Sequence, residues 1–145
     1  MGQEIEHKYL VIDDSFKDTA TECHHIIQGY LSRVPERTVR VRVRDEQGFI
    51  TVKGKNTGDK RLEFEYEIPL DDAHALLSLC EGKIIDKTRY IVPFEGYIWE
   101  VDCFKRPQGL TVAEIELPSS EAIYSKPPFA GENVTGLPEY YNSNL

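Results

Sequence analysis

The sequence predicts an α+β fold built on an antiparallel β-barrel with a charged interior and helices packed on its outside. Three observations carry that expectation. Apolar and polar residues alternate with period two in segment after segment, which is the signature of strands. The charges on each alternating face are sorted by sign. Two further stretches carry apolar stripes at helical spacing, which is the cover that a barrel with outward-turned apolar faces requires.

Taken along the chain, the first strand runs from Glu4 to Lys8, with Glu4, Glu6 and Lys8 on one face and Ile5, His7 and Tyr9 on the other. Phe16, Ala20, Cys23, Ile27 and Leu31 then keep helical spacing behind an Asp14 or Ser15 cap, which predicts a helix over 16–31. From Val39 to Arg44, valines alternate with Arg40, Arg42 and Arg44. Phe49 to Lys55 sets Thr51, Lys53 and Lys55 opposite Ile50 and Val52. A hairpin rich in turn formers, Gly54 to Lys60, leads into Arg61 to Ile68, where Arg61, Glu63, Glu65 and Glu67 oppose Leu62, Phe64, Tyr66 and Ile68. Ala73, Leu76, Leu77 and Cys80 predict a second helix, begun by Asp71 or Asp72 and stopped at Gly82. Lys87 and Arg89 share the next face, then Glu100 and Asp102, then Glu114 and Glu116 against Ala113, Ile115 and Leu117. That makes seven strands, with an eighth expected at Val11 or near the C-terminus. A short third helix is expected at Ser119 or Ser120, and an irregular cover from Lys126 onward.

The 145 residues are read as one domain over 1–145. The N-terminus has neither a basic n-region nor an apolar run, and no membrane span follows, so the expected location is cytoplasmic. Three cysteines, Cys23, Cys80 and Cys103, have no metal or redox spacing and are expected as buried thiols. A net charge of −8 argues against nucleic acid and acidic membranes as partners, so any anion site must be local. There is no phosphate-binding Walker loop, no nucleophile elbow and no aromatic stacking ladder. His7, His24, His25 and His74 are read as structural, and a homodimer is an open expectation.

An antiparallel sheet commonly keeps one face in water, and for any single strand that would account for the charges. It does not account for their segregation. Glu4 with Glu6, Glu63 with Glu65 and Glu114 with Glu116 are like-charged pairs two residues apart, roughly 7 Å along a strand, and Arg40 with Arg42 and Lys87 with Arg89 are their basic counterparts. Paired carboxylates of this kind suit Mg²⁺ or Mn²⁺, and the basic pairs suit phosphate oxygens. If these faces turn inward, acids, bases, metal and a polyphosphate neutralise one another inside the barrel.

Glu4-Ile5-Glu6-His7-Lys8 resembles the N-terminal Glu-x-Glu-x-Lys signature of the CYTH family, the triphosphate tunnel metalloenzymes. The likeness continues in order through Gln28-Gly29-Tyr30-Leu31, Val39 to Arg42, Thr51-Val52-Lys53-Gly54, Arg61 to Glu65, Lys87-Thr88-Arg89-Tyr90, Trp99 to Asp102, Gly109-Leu110 and Ala113 to Leu117, and to the ending Val134-Thr135 followed by Tyr140-Tyr141-Asn142-Ser143. The resemblance implies an eight-stranded tunnel, Mg²⁺ or Mn²⁺ dependence and a small-molecule triphosphate as substrate. It implies hydrolysis of inorganic tripolyphosphate, with cyclisation of ATP to cyclic AMP or hydrolysis of thiamine or nucleoside triphosphates as the alternative. A non-catalytic polyphosphate sensor ranks last, because all the carboxylates are present.

Position by position, the resemblance assigns Glu4, Glu6 and Glu116 to the metal, and Arg40, Arg42, Lys53, Lys87, Arg89 and Lys8 to the phosphate chain. Glu63, Glu65, Asp102 and Glu114 would hold a second metal or orient the attacking water, with Lys8 beside them. Arg61 either binds phosphate or pairs with neighbouring acids, and Tyr30 either donates to phosphate or closes a tunnel mouth. Arg44, Lys55, Glu67 and Glu100 are expected in solvent. Phe104-Lys105-Arg106-Pro107-Gln108 departs from the family pattern with a basic pair and a proline.

Overall fold

A computed structural model describes residues 2–145, and in it a single antiparallel sheet curls until its ends meet. The strands are β1 (Gln3–Val11), β2 (Glu22–Ser32), β3 (Arg37–Arg44), β4 (Gln47–Gly54), β5 (Lys60–Ile68), β6 (Glu81–Phe94), β7 (Tyr97–Arg106), β8 (Thr111–Glu116) and β9 (Ala130–Asn133). The order around the sheet is β5, β4, β3, β2, β6, β7, β8, β1, and β1 pairs back to β5, so eight strands close the expected barrel. One edge of β1 is shared: Gln3, Glu4 and Ile5 face β5, whereas Tyr9 and Val11 face β9.

The inversion expected from the charge pattern is present. In β3, Arg40 and Arg42 turn toward the interior, while Val41 and Val43 face out against Ala73, Leu76 and Leu77 of helix α2 (Leu70–Leu77). Asp71 and Asp72 in the first turn of α2 suit the positive end of its dipole. On the opposite wall the outward residues of β1, β7 and β8, among them Ile5, Trp99, Val101 and Ile115, pack under Phe16 and Phe129. Phe16 opens the single-turn helix α1 (Phe16–Thr19). Burying each such side chain contributes about 1.5–3 kcal/mol, so the apolar stability of the barrel lies on its outside.

The expected helix over 16–31 is corrected: only Phe16–Thr19 is helical, and Glu22–Ser32 is strand β2, the eighth of the barrel. The β-branched pair Ile26-Ile27 and Gly29 are poor helix formers, and the strand places Ile26, Gln28 and Tyr30 in the buried interior. Gly29 lies on the outer side, where an added Cβ would come within 2.9 Å of the Cys80 side chain; helix α2 and its following turn can approach β2 only over a glycine. Helix α2 ends at Leu77, short of Gly82. Residues 119–122 form a turn, closed by Ala122 N–H donating to the Ser119 carbonyl, in place of the third helix. The thiols are not fully buried either: Cys23 is exposed and the other two half-buried.

One end of the barrel is filled by apolar side chains. Leu10, Tyr30, Ile85, Phe104, Leu110 and Val112 pack there with Leu145. Because neighbouring strands are antiparallel, the residue after Lys8, before Glu114, after Asp102 and before Lys87 on each inward face belongs to the same end. The C-terminal segment crosses this end as two 3₁₀ turns, Pro138–Tyr140 and Asn142–Asn144. It is tied down where Lys8 N–H donates to Thr135 Oγ1 (2.9 Å) and Asn56 Nδ2 donates to the Tyr141 hydroxyl (2.9 Å). No helix is long and apolar enough to cross a membrane.

Candidate active site

The barrel encloses a cavity of about 210 Å³. Seven basic side chains line it, Lys8, Arg40, Arg42, Arg44, Lys53, Arg61 and Arg89, together with seven glutamates and Asp59. With bases and acids nearly balanced, a guest carrying several negative charges has to bring cations with it.

The basic wall is built from β3, β6 and the buried floor. Arg42 Nε donates to Gln28 Oε1 (2.9 Å), and Arg40 Nη2 donates to Thr51 Oγ1 (3.1 Å) and Glu65 (3.3 Å). Burial and the neighbouring Arg40 and Arg89 lower Arg42 to about 9, so it remains a cation at neutral pH. Behind this wall Asp102, with no exposed surface, accepts from Arg89 Nε (2.8 Å), Arg89 Nη2 (2.9 Å) and Lys87 Nζ (2.8 Å). Burial would raise Asp102, but these two cations hold it far below the usual carboxylate range. Lys87 is pushed down to about 7, first by burial and then by Arg89 and Arg42, against the pull of Asp102. One carboxylate thus aims two cations.

The acidic wall is built where β1 meets β8, with Glu6 opposite Glu116 and Lys8 opposite Glu114. Burial, then Glu114 and Glu4, raise Glu6 well above the usual range. Glu114 goes the other way, to about 2: burial opposes its ionisation, but Lys8 and a hydrogen bond with Glu6 outweigh it. Its Oε1 is buried without a hydrogen-bond partner. Lys53 Nζ lies 3.1 Å from Glu4 and 3.3 Å from Glu63, bridging β4 to β1 and β5.

Residues 2–141 match the CYTH domain family. The chain belongs to it. It is 48% identical over its full length to an inorganic triphosphatase of Acetivibrio thermocellus, covering 94% of that protein. It is 32% identical to the inorganic triphosphatase of Nitrosomonas europaea, with 98% of this chain and 95% of that one covered. Among solved structures, the inorganic triphosphatase NE1496 superposes with a TM-score of 0.68 at 30% identity, over 97% of this chain and 92% of that one. A protein of Pyrococcus horikoshii, PH1012, shares the fold at 20% identity with a TM-score of 0.65, over 81% of this chain and 79% of that one.

CYTH triphosphatases are metal-dependent, and the donor set of this CYTH chain fits a hard cation. Glu4, Glu6, Glu114 and Glu116 are oxygen donors on adjacent strands, and the raised Glu6 reports carboxylates crowded without enough positive charge between them. Among the described residues no three of these acids converge on one point, and Lys53 pairs with Glu4 at 3.1 Å.

The structure brings Glu4, Glu6, Lys8, Tyr30, Arg40, Arg42, Lys53, Arg61, Glu63, Glu65, Arg89, Glu114 and Glu116 to one cavity. Lys87 and Asp102 instead lie fully buried behind it. Arg61 donates to the Gly54 carbonyl (3.0 Å) and Tyr30 packs in the apolar end. Arg44 and Glu100, expected in solvent, both line the cavity, and Glu100 pairs with Arg89 at 3.4 Å. Sequence reasoning gave no site role to Gln28, Thr51, Asn56, Asp59 or the tail, although Gln28, Thr51 and part of the tail fall in the blocks that resemble the family. Beyond the resemblance, Gln28 was signalled by its period-two place between Ile26 and Tyr30, and Thr51 by its place on the face of Lys53. The tail residues carry no periodic signal.

Proposed function

We propose that this CYTH chain hydrolyses inorganic tripolyphosphate to pyrophosphate and phosphate inside the barrel, with Mg²⁺ or Mn²⁺. The observation that carries this reading is the cavity itself: its lining is polar almost throughout and rich in charges of both signs, and about 210 Å³ is below the roughly 300–1,000 Å³ of sites that hold drug-sized ligands. A compact inorganic polyanion suits that volume better than a nucleotide does. The identity to two inorganic triphosphatases over nearly whole chains supports the same substrate.

In this reading Glu4, Glu6 and Glu116 hold the metal, whose chemistry is to neutralise the phosphate oxygens and polarise the bond that breaks. Arg40, Arg42, Lys53 and Arg89 bind and orient the chain. Lys8 adds a cation once it leaves the Tyr140 carbonyl, which it now contacts at 2.9 Å. Glu114 accepts a hydrogen bond from the attacking water through its unpartnered oxygen, and Glu63 and Glu65 orient that water or a second cation. Asp102 and Lys87 act through Arg89 as positioning residues.

The test is phosphate release from tripolyphosphate, ATP and thiamine triphosphate in parallel, with Mg²⁺, Mn²⁺ or EDTA, while cyclic AMP is followed in the ATP sample. Fast metal-dependent release from tripolyphosphate alone is the expected result. Silence with tripolyphosphate, and cyclic AMP or nucleoside products from the others, would overturn it.

A further inference from the structure

A second cavity lies outside the tunnel at its apolar end, between the start of β6 and the end of β7. It is a half-open groove of about 530 Å³, within the range of small-molecule sites. Its floor is apolar: Ile84, Ile85, Pro107 and Leu145. Its rim is cationic, with Lys83, Lys105 and Arg106, and no carboxylate side chain lines it. Among the described residues none of these three cations is in an ion pair. The nearby acids are engaged elsewhere, Asp86 with His25 (2.8 Å) and Glu81 with the Arg33 backbone N–H (3.0 Å). On a chain of net charge −8, three cations gathered around an apolar floor with no acidic side chain in the lining form a local basic patch.

We propose that this groove is a binding site for a small anion with an apolar body, such as an alkyl phosphate or carboxylate. The cations would hold the head group, and the body would cover Ile84, Pro107 and Leu145. An ammonium compound with the same body would meet the wrong charge, and inorganic phosphate would leave the floor wet. Charge selects the head, while each buried methylene strengthens binding about fourfold. The basic pair Lys105-Arg106 and Pro107, which the tunnel does not use, acquire a role here.

Octyl phosphate, kept below its micellar concentration, is titrated calorimetrically into the full chain, with butyl phosphate, octanoate, inorganic phosphate and octyltrimethylammonium as comparators. Saturable one-to-one binding is expected, at least tenfold tighter for octyl than for butyl phosphate. Octanoate binding as tightly as octyl phosphate assigns the site to any anionic head; weaker octanoate binding assigns it to phosphate. Lys105→Glu/Arg106→Glu should weaken octyl phosphate at least tenfold while leaving tripolyphosphate hydrolysis unchanged. Both side chains are exposed, and a Lys83→Glu variant gives the same reading independently. Affinity unchanged in these variants would place the ligand elsewhere and overturn the proposal. So would octyltrimethylammonium or inorganic phosphate binding as tightly as octyl phosphate, or no saturable binding at all.

Discussion

Replacing Asp102 by Asn keeps the shape of the side chain and removes the carboxylate charge to which both Arg89 and Lys87 donate hydrogen bonds. The three hydrogen bonds of 2.8–2.9 Å converge on a carboxylate with no exposed surface. Removing one partner of such a buried group costs about 3–5 kcal/mol, because the cations left behind stay desolvated. Lys87, already lowered to about 7, escapes most of its share by giving up its proton. The remaining cost is that of Arg89, which keeps Glu100 at 3.4 Å, so the lower end of the range applies, about 3 kcal/mol. For a chain of this size that corresponds to about 10 °C in Tm. Urea unfolding in EDTA, at pH 7 and low salt, measures it. Since Asp102 is depressed in the fold, its contribution is present above about pH 4 and fades as pH falls below that value, so the gap between wild type and variant should narrow in acid. Tripolyphosphate, bound without metal, brings negative charge back to Arg89 and should recover part of the lost stability. A gap below about 1 kcal/mol at pH 7 would show that Asp102 is not what holds these cations in the fold.

Three other outcomes can be measured directly. Glu6 is raised in the fold, so ionising it works against stability as pH rises through its folded value; Glu6→Gln should therefore stabilise the metal-free protein at pH 8 while lowering metal-dependent turnover by about a hundredfold or more. A variant that is less stable without metal, or that still turns over, would remove Glu6 from this role. Because Lys87 titrates near pH 7, calorimetric affinity for tripolyphosphate in EDTA should weaken more between pH 6 and 8.5 in wild type than in Lys87→Met; parallel profiles would contradict a poised Lys87. Gly29→Ala forces a Cβ to 2.7 Å from Ile84 Cδ1 and 2.9 Å from Cys80, and should cost about 1–3 kcal/mol in urea unfolding with activity per folded molecule unchanged. No loss would mean that α2 does not rest on β2 at this point.

The barrel was legible because its sequence breaks an ordinary rule in a regular way. Strands with charges on one face usually meet water there, but Arg40 with Arg42 and Glu114 with Glu116 sort those charges by sign, which only an enclosed and mutually neutralising interior explains. Strand β2 was not legible, because Phe16, Ala20, Ile27 and Leu31 fall at helical intervals while its period-two face, Ile26, Gln28 and Tyr30, carries no charge. Tertiary demand for an eighth strand overrode the local spacing. Among site residues the types and face were readable from alternation, but depth was not. Lys87 and Asp102 occupy inward positions like their neighbours, and only the packing of Phe104 above Lys87, with Nζ 5.1 Å from the ring centre, shows that they sit behind the cavity wall. The sequence also could not show that Lys53 spans to both Glu4 and Glu63, since that contact joins residues far apart in the chain.

The apolar stopper at one end of the barrel, sealed by Leu145 and the crossing tail, turns a conduit into a socket. A long polyphosphate can then present only its terminus, and the cleaved bond is counted from the stopper outward. Fragments that leave by the end opposite the stopper depart outer before inner, so the fragment seated against the stopper departs last. That fragment is the product whose accumulation should compete with fresh substrate.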